Sequence, residues 1–406
     1  MGVAVMALLV AACGQGGGSK PAPPGQAGGG ATPSTVSQAE LALGLRLYQA
    51  EAAAQAGKNV MLSPHGVHAV LAMLLAGAKG STESELRDLL HVTGTSTGDQ
   101  RVRDLAGLEG TLRSRQGVEL GNSLWADNQF RMAPAYEQLL AGKDGLGAAA
   151  KRVDFAGAPD QARDAINARI AQQTHDHIPR MLTDPLDPMT KLVLVSTAYL
   201  DVHWADRFDP ASTQPRPFTT AAGTTVDAPT MSHAGQYATA GDPNGDWTAV
   251  ALPYEGDQLR MVVVVPKDVA AFEARLTPAV LDQVRAGLGR PHHLSLSMPK
   301  FSFRTKARLN GSLSKLGAPT MFDPQRADLS GITGPGGPPL VVSFVDHQTW
   351  LQVDEAGTKA AAATAGGVAA TSIAVFSVNR PFLFFIEDQP TGTVLFLGRV
   401  LDPTAA

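Results

Sequence analysis

Residues 355–371 read EAGTKAAAATAGGVAAT, and this stretch constrains the chain more than any other. Between Ala356 and Thr371 Lys359 carries the only charge, and only Lys359 and Val368 are larger than threonine. Such a segment has nothing with which to anchor a core. It nevertheless joins two apolar, strand-like runs, residues 341–354 and 379–386. An Ala/Gly linker is one reading. A segment made to slide between two existing strands is the other, because small side chains do not overpack the layer beneath them.

The rest of the chain can build a body around that segment. It has 406 residues, 44% hydrophobic and 17% charged, enough for a sizeable core in one large domain or two ordinary ones. The net charge of −4 gives no reason to expect nucleic acid or an anionic membrane surface as a partner. No Pro/Gly linker splits the body, so one domain is expected over residues 38–406. Cys13 is the sole cysteine, which excludes an internal disulfide framework.

Residues 3–12 form an apolar run too short to span a bilayer as a helix. The run ends in Val10-Ala11-Ala12-Cys13, which resembles a bacterial lipoprotein signal with Cys13 as the lipidated residue. An ordinary secretory signal is the rival reading, and no Lys or Arg precedes the run. This expectation divides the N-terminus into a signal, residues 1–12, and a Gly/Pro-rich tether, residues 13–37. It implies a protein secreted or held at the cell envelope by a lipid, at the outer membrane or cell surface.

Periodicity predicts helices early. Leu41, Leu45 and Tyr48 share one face of a helix running from about Gln38 towards Gly57. Ser63-Pro64 supplies an N-cap and a first-turn proline for a nearly all-apolar helix. Ser81 and Ser84-Glu85 read as a cap for a helix over residues 81–90, and residues 158–170 form another candidate. Strands dominate later: residues 259–265, an alternating run over 294–303, another over 341–354, and a hairpin of 382–386 with 394–400 around Gln389-Pro390-Thr391-Gly392. Early helices and late strands indicate an α+β body.

Several motifs occur in a shared order. They are Gly121-Asn122-Ser123-Leu124-Trp125, Met298-Pro299-Lys300-Phe301, Leu316-Gly317 with Phe322, Ala327-Asp328-Leu329-Ser330-Gly331-Ile332, Asn379-Arg380-Pro381-Phe382-Leu383-Phe384 and Leu397-Gly398-Arg399-Val400 with Pro403. Together they resemble the serpin family of serine protease inhibitors over residues 38–403. The resemblance implies a fold of three β-sheets and about nine helices with an exposed reactive-centre loop, here residues 356–378, although function has to be argued from the site itself. It places the loop's hinge at Glu355, Gly357 and Thr358 and its small-residue run at Ala360, Ala361, Ala362 and Ala363. Lys359 stands where an acidic residue is common.

The family's usual span from Glu355 ends at Thr371, which makes Thr371–Ser372 the reactive bond. Counting back from Asn379 favours Ala370–Thr371. The resemblance also implies a structural latch of Ser63 and His347, with Gly66 and Ser196 replacing the usual Ser and Asn, and a Lys300–Glu355 pair near Trp204. It implies serine proteases as partners, papain-like cysteine proteases as a further class, and a monomer. The function implied is suicide-substrate inhibition; a non-inhibitory protease substrate or binding module is the alternative.

An enzyme is not expected. No GxSxG, P-loop or GxGxxG is present. The histidine groups His65/His68, His175-Asp176-His177 and His292-His293 lack a full metal-ligand set nearby in sequence, so neither cofactor nor metal is expected.

Overall fold

The computed structural model describes residues 35–92, 97–141, 145, 146, 148, 150–242, 244–358 and 374–405. Cys13 and the tether to residue 34, Lys359, Ala360–Ala363, and the candidate bonds at Ala370, Thr371 and Ser372 lie outside them.

The chain begins with α1 (Thr35–Ala54), in which Leu43, Leu47 and Tyr48 are fully buried. Strand β1 (Val60–Leu62) leads into α2 (Pro64–Gly77), capped as expected by the Ser63 side chain accepting from Gly66 N. Every residue of α2 but Ala76 is buried, which explains its nearly all-apolar sequence. Helix α3 (Gly80–Leu89) departs from expectation. It starts ahead of Ser81 with Lys79 at the cap position and no side-chain cap bond, so the serines lie inside the helix.

Helix α4 (Gly98–Arg113), strand β2 (Val118–Asp127), α5 (Pro134–Ala141), β3 (Ala150–Val153) and α6 (Pro159–Gln173) follow. Then come β4 (Leu192–Leu200), β5 (Val202–His203), β6 (Gln214–Thr219), β7 (Thr225–Gly241), β8 (Trp247–Pro253) and β9 (Leu259–Pro266). Two short helices, α7 (Val269–Ala274) and α8 (Pro278–Gly287), precede β10 (His292–Pro299) and β11 (Phe301–Arg308). The chain ends with α9 (Asn310–Lys315), α10 (Ser330–Thr333), β12 (Phe344–Val353), β13 (Gly357–Thr358), β14 (Ala374–Ser377), β15 (Phe382–Asp388) and β16 (Thr393–Val400).

Nine strands form one sheet in the order β1-β16-β15-β9-β8-β7-β10-β14, with β6 beside β7. Five form a second, β11-β12-β4-β2-β3, and β13 pairs with β5 as a third. The alternation over residues 294–303 therefore belongs to two strands in two sheets. The break falls at Lys300, after Pro299, whose missing N–H ends one ladder; Lys300 N then bonds Pro229 O at 2.8 Å.

One apolar core lies beneath α1 and α2, and a second joins the inner faces of the two large sheets through Phe301, Phe303, Leu351, Phe382 and Phe384. A third lies between α6 and the outer face of the five-stranded sheet, through Ile166, Ile170, Tyr199 and Trp350. Strand β12 is thus covered on both faces, whereas β11 alternates buried and exposed along its whole length.

Candidate functional site

Strands β12 and β4 run parallel and pair from Phe344↔Val193 to Thr349↔Ala198. Beyond Thr349 the register stops, and this unpaired stretch between the two strands is called the slit below. The hinge enters at its mouth. A turn reverses the chain after Val353, with Asp354 N donating to Gly357 O at 3.0 Å. Gly357 and Thr358 then run antiparallel to His203 and Val202 of β5. Phe208 N donates to Glu355 O at 2.9 Å and Trp204 N to Ala356 O at 3.0 Å. Residues 357–358 therefore form a short strand laid antiparallel on β5.

Gly357 is required here. Its φ is +151°, and a Cβ would lie 2.2 Å from Val202 O. Thr358 is fully buried, with Oγ1 3.0 Å from Tyr254 Oη. Trp204 stacks on the Tyr254 ring at 4.6 Å and 7°, and its Nε1 donates to Asp354 O at 2.9 Å. The tryptophan thus supports the turn as well as filling the core.

Lys300, at the corner where the two large sheets part, reaches Glu355 with Nζ–O distances of 3.1 and 2.8 Å. The Thr213 hydroxyl donates to the same carboxylate at 2.6 Å. Partial burial alone would raise the Glu355 pKa, but the Lys300 ammonium and Thr213 hydroxyl outweigh it and hold the carboxyl below its ordinary range.

The latch residues meet beneath the slit. Ser63 N donates to His347 Nε2 at 2.9 Å, so this ring nitrogen is unprotonated. Burial pushes the His347 pKa down to about 4 against an opposing contribution from the Ser196 main chain. Gly66 and Ser196 pack closely: a Cβ on Gly66 would lie 2.5 Å from Ser196 Oγ. Glycine at 66 makes room for the hydroxyl at 196.

At the far end of the loop, β14 pairs in parallel with β10, Ala374↔Leu294 to Ser377↔Ser297. Residues 359–373 therefore connect the mouth of the slit to the edge of a different sheet. His65 and the His292-His293 pair are placed apart from this site. His65 is buried with Nδ1 2.9 Å from Glu40 Oε1 and Nε2 3.8 Å from Glu109 Oε1. His292 and His293 are exposed on β10. Among the described residues no group of three or more His, Cys, Asp or Glu is arranged to hold a metal.

Sequence reasoning did not find Thr213, Phe208 or Tyr254. Thr213 lies 142 positions from Glu355 and Tyr254 lies 104 from Thr358, and no local pattern marks either.

A family model described as "Serpin (serine protease inhibitor)" matches residues 38–403. Leukocyte elastase inhibitor A of Mus musculus is 30% identical over 384 residues, covering 91% of this chain and 99% of that protein. Iripin-2 of Ixodes ricinus is 32% identical, covering 90% and 93%. An uncharacterized serpin-like protein of Thermococcus kodakarensis is also 32% identical, covering 85% and 81%. Native protease nexin-1 with heparin superposes with a TM-score of 0.80 at 26% identity, covering 91% of this chain and 99% of that one. The thyroxine-binding globulin complex with thyroxine gives 0.83 at 26%, covering 92% and 100%. Motif order, sheet topology and these likenesses agree that the chain belongs to the serpin family and has its fold.

Proposed function

We propose that the protein is a suicide-substrate inhibitor of serine proteases and has no turnover activity of its own. The observation that carries this reading is the placement of Thr358: buried, paired with β5, and first in line for the slit between β12 and β4. A protease serine attacks the scissile carbonyl in the loop and the amine product leaves, giving an acyl-enzyme. The freed segment then enters the slit as a new strand and carries the protease with it.

The register of β13 supports this step. Were the entering strand to keep the register of Thr358↔Val202, Lys359 would come opposite Asp201, Ala360 opposite Leu200, Ala361 opposite Tyr199 and Ala362 opposite Ala198. Lysine then meets a carboxylate, and alanines meet the strands that must part. A strand of about 12 residues adds ~12–20 ladder bonds, on the order of 10–30 kcal/mol at ~0.5–1.5 kcal/mol each. Typical proteases are stable by ~5–15 kcal/mol, so distorting one is energetically accessible.

The small residues at Ala370, Thr371 and Ser372 suit elastase-like or subtilisin-like proteases; no Arg or Lys lies near them to attract trypsin-like ones. A relative named leukocyte elastase inhibitor supports the first class. Papain-like cysteine proteases share the acyl-enzyme chemistry and are a further candidate class. Val10-Ala11-Ala12-Cys13 supports a lipid anchor at the cell envelope, with the inhibitor tethered at the outer membrane or cell surface.

The second reading, a non-inhibitory substrate or binding module, is favoured by Gly366-Gly367, which slow the ordering of an entering strand, and by the likeness to thyroxine-binding globulin. Incubation with an elastase-like and a subtilisin-like protease separates the two. The inhibitory reading expects a complex that survives denaturing electrophoresis and a released peptide beginning at Thr371 or Ser372. Loop cleavage with no complex and a fully active protease supports the second.

A further inference from the structure

Helix α6 ends at Gln173, and residues 174–178 then cross the outer face of the five-stranded sheet at the height where β12 and β4 cease to pair. The last paired residues are Thr349 and Ala198, and the next along each strand are Trp350 and Tyr199. No ladder bonds join them. The His177 ring bridges them instead, stacked on Trp350 at 3.9 Å and 15° and on Tyr199 at 5.4 Å and 13°. The two strand residues are themselves 6.0 Å apart, ring centre to ring centre.

The crossing segment is fastened on both sides of the slit. Arg304 of β11 donates to His177 O at 3.0 Å, and His175 Nε2 lies 2.6 Å from Glu119 Oε1 of β2. His175 and Asp176 hold φ of +45° and +61°, a conformation that residues other than glycine adopt reluctantly. The turn that delivers the His177 ring to the slit is thus strained, and anchored across four strands.

Strand insertion is incompatible with this arrangement. Neighbouring strands lie ~4.8 Å apart, so a new one between β12 and β4 roughly doubles their separation. One imidazole cannot then stack on both Tyr199 and Trp350. An entering strand that kept the register of Thr358↔Val202 would have to pass between these two rings. We infer that His177 is a positioning residue: an aromatic clasp that closes the mouth of the slit and sets the rate at which the loop enters. This inference rests on the inhibitory reading.

The test is the uptake of a synthetic peptide of sequence TKAAAATAGGVA (residues 358–369) by the full chain, without protease, followed by native electrophoresis and tryptophan emission. Compared with wild type, H177A is expected to incorporate the peptide about 3–10-fold faster, the rate equivalent of losing one to two ring contacts. H177F keeps a stacking ring and is expected to stay within about twofold of wild type. An H177A rate equal to wild type, or an H177F rate as fast as that of H177A, overturns the clasp while leaving insertion intact. Failure of wild type to take up the peptide, with no protease complex, overturns the inhibitory reading and the clasp with it.

Discussion

Thr358 Oγ1 and Tyr254 Oη meet at 3.0 Å inside the protein, so residue 358 is held within the fold. The loop is not simply hung outside the fold; its first residue occupies the position from which a sixth strand would grow. Replacing Thr358 by arginine would force a charge into a fully buried site. T358R is expected to abolish the denaturant-stable complex while the loop is still cleaved, whereas T358S retains the complex. Gel quantification of complex against cleaved chain checks this.

His347 couples the latch to pH. It is neutral and buried, with a pKa pushed down to about 4 against ~6.5 in the unfolded chain. Its contribution is therefore fully present above pH ~6.5 and is lost as pH falls towards 4, a loss on the order of 3 kcal/mol. The melting temperature is expected to fall over that window, and H347Q is expected to flatten the profile there.

Gly66 and Ser196 should behave as a unit. G66A places a methyl group 2.5 Å from Ser196 Oγ and is expected to cost about 1–3 kcal/mol. In an S196A background the nearest remaining hydroxyl is Ser63 Oγ at 3.2 Å, a milder contact, and the same change is expected to cost less than in the wild type. Denaturant titration of the four proteins measures the coupling.

The Lys300–Glu355 pair is a tuning contact. Lys300 is about a third exposed, so screening limits the pair to ~0–1 kcal/mol. K300A is expected to shorten the half-life of inhibitory activity on storage by no more than about fivefold, with the difference shrinking at high salt.

Legibility in the sequence followed locality. Helix α2 could be read because Ser63-Pro64 carries its own start signal. The motifs around Phe382–Leu383 and Asp328–Ile332 were enough to indicate the fold. The α3 start was misread because Lys79 occupies the cap position without any side-chain bond. The break at Lys300 was hidden because residues 294–303 alternate correctly on both sides of a change of sheet. Thr213, Tyr254 and the His177 clasp depend on contacts across distant segments, and no short window contains both partners.

The central claim is that a severed loop becomes a strand between β12 and β4. The most direct measurement nicks the loop with a protease that does not form a complex, then compares the melting temperature of nicked and intact protein. Insertion predicts a rise of more than about 10 °C, since each kcal/mol is worth ~2 °C in a chain of this size. It also predicts slower amide exchange in Val193–Leu200 and Phe344–Val353. A nicked protein that melts at or below the temperature of the intact one, with unchanged exchange in those strands, would contradict the account.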